Sequence, residues 1–196
     1  MTKNEYIVRQ CRNKTVMDLG CLAHHESDHW LHGKINEVAK SVIGVDILPI
    51  KLEKFDILLG DIEKLYLIDG IKGKTFDVIV AGDIIEHLFN VGLFLDGVKR
   101  FCNQDTRIII TTPNVMSLYH FWPVLLTGND NCRRDHTCWY SMKTLCQLLE
   151  MKGFWVRESI YTDDITTNGI RPFFRKMFHK ALPYMGYRLI VNISNP

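Results

Sequence analysis

Asp83, Glu86, His87 and His136 are the residues of this chain whose types and spacing most invite chemistry. The first three lie in the run Gly82-Asp83-Ile84-Ile85-Glu86-His87-Leu88. If Asp83 opens a helical turn, Glu86 and His87 follow three and four residues on and share its face. An imidazole titrates near neutral pH, so His87, or His136 reaching in from a later loop, can serve as general base with Glu86 beside it. A second set of residues is acidic and closes short apolar runs. Asp18 sits in Thr15-Val16-Met17-Asp18-Leu19-Gly20-Cys21, Asp46 in Val42-Ile43-Gly44-Val45-Asp46, and Asp61 directly after Gly60. Acids at the tips of successive strands suit the hydroxyls and amino group of a nucleoside cofactor at the carboxyl edge of a parallel sheet. One such acid alone is equally a strand-end turn residue; Asp46 and Asp61 in register point to a ligand.

The elements that must carry these residues are legible from periodicity. Strands are expected at Val16–Leu19, Ile43–Asp46, Ile57–Leu59, Phe76–Ala81, Arg107–Thr112, Phe154–Tyr161 and Tyr187–Ile193. Phe76–Ala81 is almost continuously apolar, as a strand covered on both faces should be. Between them, Asp28 is placed to cap a helix with Leu31, Ile35, Val38, Ala39 and Val42 on one face, and Asn90 one with Leu93, Phe94, Val98 and Phe101. Ser141–Lys152 reads as a helix with Leu145, Leu148 and Leu149 inward, ended by Gly153. Such alternation predicts an α/β fold with a mainly parallel sheet, and the closing strand pair an antiparallel edge. A chain of 196 residues, 46% apolar and 23% charged with a formal charge of +2, fits a single globular domain over residues 1–196. The charge balance gives no case for nucleic acid. The six cysteines form no C-x-x-C pair, no secretion signal opens the chain, and no run spans a membrane, so a cytoplasmic protein with reduced thiols is expected.

The first loop separates the cofactors. A nicotinamide dinucleotide needs G-x-G-x-x-G after the first strand, whereas Gly20-Cys21-Leu22-Ala23-His24-His25 keeps only the first glycine. S-adenosylmethionine carries no pyrophosphate and asks instead for acceptors to a ribose diol, an adenine amino group and an ammonium. With Val16–Cys21, Val45-Asp46, Gly60-Asp61-Ile62, Phe76–Ala81, Glu86-His87-Leu88, Ile110–Asn114 and Asp135–Ser141 in this order, the chain resembles a class I S-adenosylmethionine-dependent methyltransferase. The resemblance implies a Rossmann-like, seven-stranded, mostly parallel sheet with helices on both faces and an antiparallel last strand at Tyr187–Ile193. It also implies S-adenosylmethionine as cofactor. Asp18, Gly20 and Cys21 would frame its methionine end, and Asp46 with Ile47 its ribose. Asp61 and the Ile62 amide would meet the adenine, and Ala81, Gly82 and Asp83 would lie beneath the sulfonium. Two departures stand out. Leu22 and His24 occupy positions where the family carries glycine, and 28 residues separate Asp18 from Asp46, against roughly 20 in a tight unit. The extended loop holds His24, His25, Glu26, Asp28, His29 and His32, a set whose spacing does not readily converge on one ion. It reads as an altered cofactor loop.

The spacing Asp83-x-x-Glu86-His87 with a distant His136 is similar to the metal-binding set of small-RNA 2′-O-methyltransferases and to the carboxylate–histidine pattern of quinone-pathway O-methyltransferases. That similarity implies a Mg²⁺ site made of Asp83, Glu86, His87 and His136, lowering the pKa of a bound substrate hydroxyl. The alternative is a metal-free base, or a structural Glu86. Residues 114–137, with Met116, Leu118, Tyr119, Phe121, Trp122, Leu125 and Leu126, are expected to form a lid-like loop over the methyl donor. Residues 162–186 form a basic aromatic insertion, and 171–188, with Arg171, Arg175, Lys176, Lys180 and Arg188 and no acid, offer peripheral contact with an anionic membrane. The expected function is O-methylation of a small-molecule or glycan acceptor. RNA ribose methylation and a catalytically silent scaffold are the alternatives.

Overall fold

The computed structural model describes residues 1–163 and 181–195. Its strands are β1 (Thr15–Leu19), β2 (Ser41–Asp46), β3 (Ile57–Leu59), β4 (Phe76–Gly82), β5 (Cys102–Pro113), β6 (Trp155–Thr162) and β7 (Arg188–Ser194). They form one sheet in the order β3-β2-β1-β4-β5-β7-β6. The first five pair in parallel, and β7 runs antiparallel between β5 and β6. All seven expected strands are present, with ends shifted by a residue or more (Phe154 and Tyr187 lie just before β6 and β7), and the closing pair forms the expected antiparallel edge with the last strand inserted between β5 and β6.

Alternation along the strands divides the core in two. Val16, Val78, Val80, Ile109 and Ile190 face α1 (Lys3–Cys11) and α2 (Leu31–Val38). Met17, Leu19, Ile79, Ile108 and Ile110 face α3 (Val91–Lys99) and α5 (Met142–Met151). The central strands are therefore apolar on both sides, which is why Val78–Ala81 shows no polar alternation, whereas the edge strands β3 and β6 are partly exposed. The strand order reverses direction between β1 and β4, the topological point at whose strand ends open α/β sheets bind their ligands.

Helix starts were the less legible part. α1 has no counterpart among the expected elements, although Thr2-x-x-Glu5 forms a complete capping box. Asp28 does not cap α2, which begins after Trp30 without a side-chain cap, and Val42 belongs to β2. Asn90 precedes α3 without capping it. Glu63 instead accepts from the amides of Phe89 and Asn90 and from Asn90 Nδ2, a carboxylate drawn to unpaired donors at a helix start. Ser141 caps α5 as expected, and Gly153 follows it at φ +79°. The expected lid loop contains a further helix, α4 (Leu118–Thr127), capped by Ser117 and closed by Gly128 at φ +70°. Of the basic insertion, Arg171, Arg175, Lys176 and Lys180 lie outside the described residues. Arg188, counted with it, is the first residue of β7 and turns inward.

α1 is fastened to the far side of the sheet by one phenol. The Tyr6 hydroxyl donates to Glu158 on β6 at 2.5 Å and accepts from Asn192 Nδ2 on β7 at 3.1 Å. Burial and the neighbouring Glu158 push its pKa up to about 12, so it stays a donor at any physiological pH. Tyr6→Phe keeps the ring packing and strands Asn192, and is expected to cost about 1–2 kcal/mol in urea unfolding. An unchanged midpoint would show that this tether is idle.

Candidate active site

Gly20 ends β1 at φ +73°, a backbone state that disfavours any side chain, and an added Cβ would lie 2.8 Å from Ile84 Cδ1. The chain then turns so that the Leu22 amide donates to Asp46 Oδ2 at 2.8 Å, while the Leu48 amide donates to Oδ1 at 2.9 Å. Each carboxylate oxygen of Asp46 thus holds one amide and keeps a second lone pair for a ligand hydroxyl. The next residue, Ile47, is 69% exposed, an apolar surface at the strand tip that a purine ring would cover. The Gly60 amide donates to the Asp46 carbonyl, which brings Asp61 and Ile62 to the same edge. Asp61 accepts from the Glu63 amide through Oδ1 and keeps Oδ2 beside Lys64. These groups fit the nucleoside half of S-adenosylmethionine.

The other half of the expected cofactor set is arranged differently. Asp18 is buried beneath α2 and hydrogen-bonded to His32 Nδ1 at 2.8 Å, a pair with no exposed edge. Cys21 is buried too, packed with Leu22 and Trp30, and burial drives its thiol far above the ordinary range. Its side chain is turned to packing rather than toward a ligand. Asp83 does not open a helical turn. It sits at φ +52°, and its amide donates to both the carbonyl and the hydroxyl of Thr111. Its Oδ1 accepts from Thr111 Oγ1, and its Oδ2 is held by Lys3 Nζ at 2.9 Å and by Arg188 Nη1. Loss of hydration brings the Arg188 guanidinium down to about 10. Two cations and a hydroxyl hold the Asp83 carboxylate, so it is not a free ligand for an ion. Ala81 is fully buried and packs on the α3–α5 side, whereas Gly82 is half-buried with Leu31 near it.

The turn forms two residues after Asp83, as a 3-10 turn over Ile85–His87. It brings Glu86, His87 and His136 together, with one donor atom from each within 4.8 Å of the others. Glu86 is 2% exposed and accepts from Thr112 Oγ1 at 2.9 Å. Burial raises its carboxyl to about 7. His87 Nδ1 lies 3.0 Å from the Asp135 carbonyl and 3.4 Å from its carboxylate. Both are acceptors, so Nδ1 carries the proton and Nε2 is left as a bare base. The His136 ring stands edge-on to His87 at 4.8 Å, and desolvation together with His87 lowers its pKa. No metal-ligating group of three forms in the histidine-rich first loop among the described residues.

Sequence reasoning missed two residues. Asn114, wholly buried, donates to the carbonyls of Tyr184 and Gly186 and accepts from the Met116 amide, so one side chain joins the end of β5 to the start of β7 and the base of α4. His120 is the only buried residue of α4, with Trp139 edge-on at 4.3 Å and Tyr187 stacked at 5.6 Å. Its signal was a lone imidazole in a helix without charge.

The profile of the methyltransferase domain family matches residues 5–159. A probable S-adenosylmethionine-dependent methyltransferase of Mycolicibacterium smegmatis is 26% identical over 162 residues, 79% of this chain and 57% of that protein. The chain thus spans little more than half the length of that relative. Among solved structures, the small RNA methyltransferase HEN1 superposes at TM-score 0.67 with 18% identity over 98% of this chain and 25% of that one. A 1,6-didemethyltoxoflavin N1-methyltransferase of Burkholderia thailandensis, solved with S-adenosylhomocysteine, does so at 0.61 with 13% identity over 98% and 77%. The fold is that of the class I S-adenosylmethionine-dependent enzymes. The chain belongs to the methyltransferase domain family.

Glu86 also marks the stability of the domain. Its carboxyl titrates near 7 in the folded chain against an ordinary 4.5, so the folded state holds its proton where the unfolded state has lost it. Stability is full below about 4.5 and falls as pH rises through about 7, by up to about 3 kcal/mol. Glu86→Gln removes that fall. Urea unfolding at about pH 5 and pH 8 should show a smaller loss for the variant, and parallel losses would contradict the burial assignment.

Proposed function

We propose that this domain is an S-adenosylmethionine-dependent O-methyltransferase for a small-molecule or glycan acceptor, with His87 as general base. The observation that supports it most is the His87–Asp135 contact. Nδ1 held by a carbonyl and a carboxylate fixes the ring of His87 and leaves Nε2 as its uncommitted nitrogen, in a side chain that clusters with Glu86 and His136 at the carboxyl edge of β4. S-adenosylmethionine supplies an electrophilic methyl on its sulfonium. Asp46, Ile47, Asp61 and Ile62 would hold the nucleoside. His87 would take the proton of the acceptor hydroxyl, and Asp135 would stabilise the imidazolium. Glu86, near neutrality in pKa, would relay or hold a proton behind it. His136 stays neutral and lines the acceptor side.

A metal reading rests on the same three residues. Without Asp83 the set is two imidazoles and one carboxylate, a nitrogen-rich donor set that suits a transition metal better than Mg²⁺. RNA ribose methylation draws on the four-residue pattern and is weakened by the same withdrawal of Asp83. The shared fold of a heterocycle enzyme and an RNA enzyme does not discriminate between acceptors, so the site must. The scaffold reading draws on Leu22, whose buried side chain replaces a glycine of the first loop. We place the domain in the cytoplasm on its six unpaired thiols. No helix among the described residues is long and apolar enough to cross a membrane.

Calorimetry with S-adenosylmethionine comes first, since no binding at high micromolar cofactor would favour the scaffold. A screen of hydroxylated metabolites and oligosaccharides for the mass gain of one methyl then provides the assay. His87→Gln should lower kcat by about 10²–10⁴-fold while leaving cofactor affinity unchanged. Chelation should leave turnover intact. Turnover lost to a chelator, or unaffected by His87→Gln, would sink the base assignment.

A further inference from the structure

His120 has one committed ring nitrogen and one idle one. Asn131 Nδ2 donates to the Tyr119 carbonyl at 3.2 Å, which fixes the amide so that its Oδ1 faces His120 Nδ1 at 2.6 Å. An amide oxygen only accepts, so Nδ1 carries the proton. Burial lowers the pKa of this imidazole and keeps it neutral. Nε2 is then a lone-pair acceptor, and it is buried without any hydrogen-bond partner. Buried polar atoms are satisfied in the great majority of cases, and leaving one bare costs about 1–3 kcal/mol. The surroundings are aromatic. Tyr119 stands edge-on to His120 at 5.1 Å, Trp139 edge-on at 4.3 Å and Tyr187 stacked at 5.6 Å. Trp139 also faces His136 at 6.5 Å, and His136 faces His87, so the box adjoins the base.

We propose that this box binds an aromatic ring bearing a hydroxyl, whose O–H donates to His120 Nε2. The inference rests on the reading of the domain as a methyltransferase and narrows its acceptor to planar, hydroxylated aromatics. Ring walls select a flat π-system, and a bare imidazole acceptor selects a hydrogen-bond donor over its methylated counterpart. His120 anchors the acceptor through one hydroxyl, and the hydroxyl to be methylated is a second one, whose proton goes to His87. Entry requires a wall ring to swing. Tyr119 is 52% exposed and has that freedom, whereas Trp139 and Tyr187 are half-buried.

The test compares para-cresol with para-methylanisole, both neutral at working pH and differing by O–H against O–CH₃, on the full chain by calorimetry. The phenol should bind at least about tenfold more tightly. His120→Phe, which keeps a ring and removes the nitrogen, should erase that preference. Asn131→Ala, which frees the tautomer and releases the Tyr119 carbonyl while leaving all four rings in place, should reduce it several-fold. Long-range ¹H–¹⁵N spectra of histidine-labelled protein should show His120 protonated at Nδ1, with the Nε2 resonance moving on phenol addition. Equal binding of the two probes, absent binding of both, a preference that survives His120→Phe, or an Nε2-protonated tautomer would each overturn the inference. Calorimetry with S-adenosylhomocysteine reports separately on the methyltransferase reading. A chain that binds it yet ignores the phenol loses this inference alone; one that prefers the phenol yet binds no cofactor keeps it and loses the enzyme.

Discussion

The Asp83 carboxylate is the contact on which the site depends. It ties three elements that are distant in sequence: Lys3 on α1, Thr111 on β5 and Arg188 on β7. Its backbone is held in the left-handed region, a conformation that costs a non-glycine residue about 1–3 kcal/mol and persists only when neighbours over-determine it. Here the amide is held by two Thr111 acceptors and the side chain by two cations. The left-handed turn swings the following residues away from the axis of β4. That swing places Glu86 under Thr112 and leaves His87 facing Asp135. A residue that looks like a ligand from its spacing is a fastener, and the fastening positions the neighbours for which we propose chemistry.

Three histidines illustrate how one side chain acquires different work from one hydrogen bond. In His32, His87 and His120 alike, Nδ1 is engaged: by the Asp18 carboxylate, the Asp135 carbonyl and the Asn131 amide oxygen. Nε2 is then the working end. In His87 it is left uncommitted in a side chain that clusters with Glu86 and His136. In His32 it is buried without a hydrogen-bond partner, and the ring serves by packing with Trp30 and Phe55.

Strand content was legible because β1, β2 and β4 are buried on both faces and carry unbroken apolar runs such as Val78–Ala81, ended by an acid or a glycine. The positions of Asp46 and Asp61 follow from those strand ends. Helix starts were harder to read, since Asp28 and Asn90 have the right side chains and the structure assigns the work elsewhere: the donors before α3 go to Glu63, a residue far off in sequence. Asp83 misled for the same reason, because its partners Lys3 and Arg188 come from the two ends of the described chain. His120 was invisible to spacing altogether. Its meaning arises only when the turn after Asn131 and the strand start at Tyr187 close around it, and neither is local.

β7 is laid between β5 and β6 although it follows both in sequence. Until Arg188–Ser194 has been translated and has left the ribosome, β5 and β6 each present an unpaired edge, and long-range pairing of this kind forms slowly. A nascent domain therefore waits with an open seam through its sheet. Chaperone engagement during synthesis would fall on that interval, and inserting β7 joins β5 to β6 and delivers the guanidinium that pairs with Asp83.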